Sequence, residues 1–199
     1  MPRGRYRQKQ WDDRQAAILD ALTRLAAVHG FANVTMDDLA DEVGISKATL
    51  YQHFKSKDEM LAALLATHIT HFVNWLGQTA DRPPLERLRQ VVRYLMDGHM
   101  TPLRSLIRRG DLSPTLEHHP ELIAQYRKML AQLSAIVAEG QRSGQIAPDL
   151  APPVVIRVMW MLSHVPLGEQ ATLHREETPL DTETYIAQIL TFFERGLRP

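Results

Sequence analysis

Three hydrogen-bonding side chains lie close together in one short segment of the chain, at Lys47, Thr49 and Gln52. On a helix they would lie largely off the face shared by Leu50 and Phe54, which are four residues apart and would pack inward. Lysine can donate to O6 or N7 of guanine, glutamine can pair with adenine, and the threonine methyl group can touch a thymine methyl. The segment therefore predicts a short helix whose outer side binds base edges in the major groove of DNA.

Residues that begin and end helices surround this segment. Thr35, with an acid three residues later, predicts the start of a second helix, and Gly44 can adopt the positive φ of a tight turn after it. Ser46 predicts the N-cap of a third helix, and Ser56, with a glutamate three residues later, predicts a capping box for a fourth. The second and third helices together form a predicted helix-turn-helix.

The predicted DNA contacts come from the third helix and from the starts of its neighbours. Side chains near the start of the third helix are assigned to base edges. Tyr51, His53 and Lys57 are assigned to phosphate oxygens, together with the amide groups of the helix starts. The predicted DNA-binding residues are Thr35, Ser46, Lys47, Ala48, Thr49, Tyr51, Gln52, His53 and Lys57.

The composition limits the class of protein. The chain has 199 residues, 44% of them hydrophobic, and no cysteine, which excludes disulfides and cysteine-based zinc sites and favours a reducing compartment. No apolar run is long enough for a secretory signal or a membrane span. We therefore expect a cytoplasmic protein that has no membrane partner.

The formal net charge is zero, so attraction to phosphate must come from the distribution of charge. Arg3, Arg5, Arg7 and Lys9 are concentrated at the N-terminus, with no acid among them. We interpret residues 1–10 as a basic flexible arm. Such an arm either contacts the minor groove or the phosphates of DNA, or remains an untethered tail.

Apolar residues recur with the period of a helix almost throughout the chain. The sequence therefore predicts an all-α protein with about nine helices. The first helix is predicted over about residues 12–28, and prolines open most of the later ones. Beyond the third helix, the predicted helices cover about residues 57–77, 85–99, 102–109, 121–142, 154–167 and 181–195.

The N-terminal motifs, taken together, resemble the signature of the tetracycline-repressor (TetR) family of bacterial regulators over about residues 14–61. The motifs that carry the resemblance are Gly30-Phe31, Val34-Thr35, Leu39-Ala40, Gly44-Ile45-Ser46, Thr49-Leu50-Tyr51, His53-Phe54 and Ser56-Lys57. In that family the third helix enters the major groove, and the positions of Tyr51 and Lys57 usually grip the DNA backbone. Ala48 and Met36 depart from the pattern, since many members have glycine and threonine there.

The resemblance implies two domains. Residues 11–71 are assigned to a homeodomain-like three-helix DNA-binding domain that includes the start of the fourth helix, and residues 72–199 to a helical domain that pairs two chains and often holds a small-molecule pocket. Large, adaptable side chains suit an apolar or amphipathic ligand. The pocket candidates are Phe72, Trp75, Tyr94, Met96, Met100, Tyr126, Met129 and Trp160.

Two C-terminal helices are apolar over most of their circumference, which indicates burial on more than one face. We predict that they pack against their copies across a twofold axis as a four-helix bundle. The predicted interface residues are Val155, Val158, Met159, Leu162, Ile186, Ile189, Leu190 and Phe193.

The expected function is that of a homodimeric transcriptional repressor, released from a palindromic operator when a small molecule shifts the fourth helix. A ligand-independent DNA-binding regulator or activator is the alternative. The chain lacks the spacing of a nucleophile elbow, a P-loop or a dinucleotide-binding motif, so an enzyme is not expected. His68 with His71, or His118 with His119, could share a metal ion, but further ligands at suitable spacing are missing, so neither a metal nor another cofactor is expected.

Overall fold

The structure, a computed structural model, describes residues 2–97, 118–163 and 181–199. Within these ranges the chain forms eight α-helices, one 3₁₀ turn and no strand, so the predicted all-α class is confirmed. The elements are α1 (Pro2–His29), the 3₁₀ turn (Phe31–Asn33), α2 (Met36–Val43), α3 (Lys47–His53), α4 (Lys57–Gly77), α5 (Pro84–Met96), α6 (Pro120–Arg142), α7 (Pro152–Ser163) and α8 (Thr182–Leu197). None of the described helices is both long and apolar enough to cross a membrane. The predicted helix at about residues 102–109 lies outside the described residues.

The described residues divide into two compact units. The first contains residues 2–68 and 118–124, and the second contains residues 69–97, 125–163 and 181–199. Helices α4 and α6 each contribute to both units, because the boundaries fall inside them. The sequence interpretation also drew its boundary inside α4, but it assigned the start of α6 to the second domain.

Helix α1 begins at Pro2 rather than near residue 12, so the segment predicted to be a flexible arm is helical in the structure. Residues 5–11 contain neither glycine nor proline and are rich in arginine, glutamine and lysine, which have high helix propensity. Gln8 also donates a hydrogen bond to the Asp12 carboxylate one turn later, at 2.8 Å. The helix propensity of these residues therefore outweighs the mutual repulsion of their positive charges.

The first unit is held together by one apolar face from each of its long and short helices. Ile18 and Leu22 from α1, Leu39 from α2, Leu50 from α3 and Met60 from α4 are all fully buried. Removing one such side chain from water contributes about 1.5–3 kcal/mol to folding. This core fixes the inner face of α3 and leaves the polar side of that helix outward.

Helix α4 starts with a cap that follows the prediction only in part. The Ser56 hydroxyl oxygen accepts the Glu59 N–H at 3.1 Å, as expected for an N-cap. The Glu59 carboxylate, however, accepts the N–H of Lys55 at 2.6 Å, one residue before the position that a capping box requires. The start of α4 is therefore fixed by both side chains, although the reciprocal box is not formed.

The core of the second unit comes from α5, α6, α7 and α8 together with the second half of α4. Its fully buried side chains include Leu88, Leu133 and Met159. At the edge of this core, the Arg93 guanidinium on α5 donates to both carboxylate oxygens of Glu183 on α8, at 2.9 and 3.1 Å. A two-pronged pair of this kind fixes the orientation of α8 against α5.

Candidate nucleic-acid interface

The predicted cap at the start of α2 is present. The Thr35 hydroxyl oxygen accepts the Asp38 N–H at 3.1 Å, and the Asp38 carboxylate accepts the Thr35 N–H at 2.8 Å, which completes a capping box. The Thr35 hydroxyl also donates to the same carboxylate at 2.7 Å. These hydrogen bonds from Thr35 lower the pKa of Asp38. Because the Thr35 hydroxyl is engaged in its own cap, its proton is not available to a phosphate in this state.

The turn and the start of α3 also follow the prediction. Gly44 has φ 69° and ψ 37°, the left-handed conformation that favours glycine. The Ser46 hydroxyl oxygen accepts the Thr49 N–H at 3.1 Å, and the two hydroxyl groups lie 2.8 Å apart. Leu50 is fully buried beneath this cap, as predicted. The helix-turn-helix expected from the sequence is therefore formed.

One side of α3 carries most of the predicted base-reading groups. Lys47, Ala48, Tyr51 and Gln52 are exposed, and Thr49 is half-buried. Their spacing puts the four exposed residues on the same side of a helix only seven residues long. This surface offers hydrogen-bond donors and a methyl group to an approaching base edge.

Lys47 is paired within the motif itself. Its ammonium lies 2.8 Å from the nearer carboxylate oxygen of Asp37, in the first turn of α2. The hydrogen bond with Asp37 raises the pKa of Lys47, and the nearby negative charge adds to that effect. Both side chains are exposed, and ion pairs in contact with water are weak. The pair therefore holds Lys47 only weakly.

His53 is buried rather than on the exposed side of α3, and its contact with phosphate stays a prediction. The side chain is 7% exposed, and its ring packs on Trp11 of α1 with the ring centroids 3.8 Å apart. Nδ1 has no hydrogen-bond partner among the described residues. Burial and, to a lesser extent, the charge of Arg14 lower the pKa of His53, which favours the neutral imidazole. His53 therefore anchors α3 to α1 through a tryptophan to which the sequence interpretation gave no role.

Lys57 is the second predicted phosphate ligand with a different role in the structure. Its ammonium donates to the carbonyl oxygens of Phe31, Ala32 and Val34 at 3.0, 3.3 and 2.6 Å. It also lies 5.0 Å from the centroid of the Phe31 ring. An ammonium has three donors, and all three are used at the end of the 3₁₀ turn. Lys57 therefore closes the link between α1 and α2, and its contact with phosphate stays a prediction.

A groove with a volume of about 580 Å³ lies between the N-terminal half of α1 and the helix-turn-helix. Arg7, Gln10 and Arg14 line it from α1, and Thr49 and Gln52 line it from α3. The three α1 residues are three and four positions apart, so they share one helix face. That spacing is visible in the sequence, but it identifies a face only once residues 2–11 are known to be helical.

The second unit brings seven of the eight pocket candidates into one cluster. The buried members are Phe72, Met96 and Met129, and the partly buried members are Trp75, Tyr94, Tyr126 and Trp160. Trp75 and Tyr94 stack with their ring centroids 4.3 Å apart, and Phe72 meets Tyr94 edge-on at 5.6 Å. Met100 lies outside the described residues. These side chains are neighbours in the cluster, as they would also be in an ordinary apolar core without a ligand pocket.

Five of the eight predicted interface residues are buried in the core of their own chain, and their place in a dimer interface stays a prediction. They are Val155, Met159, Ile186, Leu190 and Phe193. Of the other three, Val158 is exposed and Leu162 and Ile189 are partly buried. The large apolar side chains that α7 and α8 expose, called here the exposed apolar face, are Val154, Val158, Met161, Tyr185 and Phe192. Periodicity could not separate the two faces of these helices, because both are apolar.

One of the histidines considered as metal ligands, His119, lies beside two carboxylates. Across residues 2–97, 118–163 and 181–199, no group of three or more His, Cys, Asp or Glu side chains is arranged to hold a metal ion. His119 Nε2 lies 3.1 Å from a carboxylate oxygen of Asp58, and its Nδ1 lies 3.4 Å from one of Glu121. These contacts join the start of α6 to the start of α4 inside the first unit.

Sequence comparison places the helix-turn-helix among known regulators. The family described as "Bacterial regulatory proteins, tetR family" matches residues 18–64, which contain α2 and α3. FasR, an HTH-type transcriptional activator of Mycolicibacterium smegmatis, is 36% identical over 90 residues, which cover 43% of this chain and 40% of FasR. EthR, an HTH-type transcriptional regulator of the same species, is 29% identical over 158 residues, which cover 76% of this chain and 71% of EthR.

Solved structures share the fold beyond that motif. The ketosteroid transcriptional regulator KstR2 of Mycobacterium tuberculosis has a TM-score of 0.70 at 22% identity, over 94% of this chain and 95% of KstR2. AibR, solved with isovaleryl coenzyme A and operator DNA, has a TM-score of 0.68 at 20% identity, over 90% of this chain and 97% of AibR. At these identities the superpositions show the fold alone. The sequence match shows that residues 18–64 form a helix-turn-helix domain of the TetR family of bacterial regulatory proteins.

Proposed function

We propose that this regulator is a repressor that binds a near-palindromic operator as a homodimer and leaves it when a small molecule binds the second unit. The observation that carries the DNA-binding part is α3 itself. It is capped at Ser46, its residue Leu50 is buried, and its residues Lys47 and Gln52 are exposed. A short helix of this form, with donors on its outer side, fits the major groove. Because the proposed partner is the bacterial chromosome, we place the protein in the cytoplasm.

The side chains of α3 have separate roles in the proposed complex. Lys47 exchanges Asp37 for O6 or N7 of a guanine, and Gln52 pairs with an adenine. The hydroxyl of Tyr51, whose side chain is 44% exposed, binds a phosphate oxygen. Lys47 and Gln52 therefore carry sequence preference, whereas Tyr51 contributes affinity to any duplex.

The exposed apolar face supports the homodimer. Helices α7 and α8 both present large apolar side chains to water, and exposed apolar patches are typical of interaction sites. A second copy of the chain, related by a twofold axis, would cover the same surface on both partners. Such a dimer would place two α3 helices about 34–36 Å apart, or a multiple of one DNA turn, which is why the operator should be near-palindromic.

The aromatic and methionine cluster of the second unit supports an apolar or amphipathic effector. Because AibR was solved with isovaleryl coenzyme A, acyl thioesters of coenzyme A are the first class of effector to test. Helix α4 carries Phe72 and Trp75 in the second unit and Lys57 in the first, so it is the proposed connection. Coupling between an effector and DNA typically changes affinity by about 5–150-fold.

Selection of duplexes from a random library, followed by fluorescence anisotropy, tests this function. We expect the selected duplexes to share an inverted repeat and to bind about 10³-fold or more tightly than scrambled DNA. Lys47→Ala should reduce that preference, and isovaleryl coenzyme A or a longer acyl thioester should weaken binding to the selected duplex. No enrichment over background at about 50 mM salt, where phosphate contacts are strongest, would overturn the proposal.

An activator is the second candidate, because FasR, with which the N-terminal region shares 36% identity, is a transcriptional activator. An activator would use the same DNA-reading helix, so binding data cannot separate the two. Transcription in vitro from a promoter carrying the selected duplex separates them. A repressor lowers the amount of transcript as it is added, and an activator raises it.

A further inference from the structure

The N-terminal half of α1 is a basic helical segment. Helix α1 begins at Pro2 and continues without a break to His29. Arg7, Gln10 and Arg14 lie on one face of it and line the groove described above. Both arginines are exposed, so their guanidinium groups are accessible to a ligand.

The side of this groove opposite α1 carries α3 residues that are predicted to contact DNA bases. Thr49 and Gln52 of α3 line it, next to the turn that contains Gly44. The lining includes two arginines and a single acid, Asp13, so its charged groups are mainly positive. A duplex whose major groove receives α3 has a phosphate backbone on each side of that helix. One of those backbones would have to pass along the N-terminal half of α1.

A contact between two rings fixes the position of the N-terminal half of α1 relative to α3. Trp11 lies between Arg7 and Arg14 on α1 and packs on the buried His53 at the end of α3, with ring centroids 3.8 Å apart. The position of the two arginines relative to α3 is therefore set by packing. Two of the predicted phosphate ligands, His53 and Lys57, have partners within the first unit, whereas Arg7 and Arg14 are exposed.

We propose that Arg7 and Arg14 of α1 bind the DNA backbone that flanks the base-reading helix, with Gln10 between them as an additional donor. The inference rests on the proposed function and adds residues to its DNA-binding surface. A guanidinium presents a planar fork of donors that matches two phosphate oxygens, which an ammonium cannot do. The contact does not depend on base sequence, so it stabilises the complex with any duplex.

The test compares salt dependence across matched variants. Binding is measured for the wild-type chain, Arg7→Ala, Arg14→Ala and the double variant. Each is tested on a duplex selected by the wild-type chain and on a scrambled duplex. The salt concentration varies from about 50 to about 200 mM, a range over which phosphate contacts are strongly salt-dependent. Because the proposed dimer carries two copies of each arginine, each single substitution should reduce the slope of log K against log salt by about 1.8, and the double variant by about 3.6. The preference for the selected duplex should stay unchanged. Arg14→Lys should keep the wild-type slope, because the charge remains.

Lys9→Ala is the matched control, since Lys9 lies on the same helix and carries the same charge but does not line the groove. Its slope should equal that of the wild-type chain. If Lys9→Ala lowers the slope as much as Arg14→Ala, the attraction is diffuse and the inference is wrong. If the wild-type chain prefers the selected duplex but the arginine variants keep its slope, the inference fails while the proposed function stands. If the wild-type chain prefers no duplex, the proposed function fails and the inference fails with it.

Discussion

The ammonium of Lys57 lies 2.6 Å from the carbonyl oxygen of Val34 and so connects the first residue of α4 to the segment that precedes α2. Burial lowers the pKa of Lys57, although the nearby charge of Asp38 acts in the opposite direction. The side chain is thus part of the framework that holds the helix-turn-helix, and its charge is directed inward. A structural lysine and a DNA-binding lysine respond differently to substitution.

We expect Lys57→Met to lower the free energy of unfolding by about 1–3 kcal/mol, because it leaves carbonyl oxygens at the 3₁₀ turn without their donor. Chemical denaturation followed by circular dichroism measures the loss. Lys55→Met, which removes an exposed positive charge two residues earlier, should leave the stability unchanged. A Lys57→Met chain of normal stability, with a DNA-binding salt slope reduced by about two units for the dimer, would instead show that Lys57 binds phosphate.

The difference between Lys57 and the capping residues shows what the sequence could predict in this motif. Thr35 and Ser46 were predicted correctly as caps because each bonds to an amide only three residues away. Lys57 bonds to carbonyl oxygens 23 to 26 residues earlier, in a 3₁₀ turn that was not predicted. A hydrogen bond between residues that are close in sequence can be predicted from the local pattern. A hydrogen bond between distant residues depends on how the helices pack, which the local pattern does not show.

A similar limit applies to the two C-terminal helices and to α1. Val155 and Val158 are equally apolar, and only the packed structure shows that the first is buried and the second exposed. In α1, the charge of Arg5 and Arg7 was interpreted as disorder although the residues around them favour a helix. The all-α class, the helix-turn-helix and the ends of α4 could be predicted, because each rests on periodicity or on caps.

Asp37 is expected to restrain DNA binding by holding Lys47. We predict that Asp37→Asn tightens binding to the selected duplex by about two- to fivefold, since it releases Lys47 and removes a like charge from the approach of the phosphates. Fluorescence anisotropy at constant salt measures the change. Asp41→Asn is the control, because Asp41 is an exposed acid on the same helix. Equal tightening by both variants would mean that net charge, not the pair with Lys47, is responsible.

The buried His53 makes the first unit sensitive to acid. Because burial lowers the pKa of His53, the unfolded chain binds more protons than the folded chain once the pH falls towards the ordinary histidine pKa of about 6.5. The stability is fully present above that pH and is lost as the pH falls below it, towards the pKa of the folded state. Urea denaturation between about pH 5 and pH 8 should show this loss.

The variant His53→Phe keeps a ring against Trp11 but removes the titrating group, so it should lose less stability on acidification than the wild-type chain. His71→Gln, at an exposed position on α4, should behave as the wild-type chain does. The same loss of stability between pH 8 and pH 5 in His53→Phe and in the wild-type chain would show that other groups cause the acid sensitivity.

Neighbouring phenylalanines on α8 should respond in opposite ways to the same substitution. Phe193 is 3% exposed and belongs to the core of the second unit, so Phe193→Ala should lower the free energy of unfolding by about 3–5 kcal/mol. Phe192 is 73% exposed on the exposed apolar face, so Phe192→Ala should leave the folded chain intact but raise the dimer dissociation constant by about tenfold or more. Sedimentation at micromolar concentrations measures the second effect, and denaturation at one fixed protein concentration measures the first. Since the two residues are adjacent and chemically identical, the comparison isolates the face on which each one lies.

A Phe192→Ala chain that dimerises as tightly as the wild-type chain would mean that the interface lies on another surface. A wild-type chain that is monomeric would remove the homodimer from the proposed function.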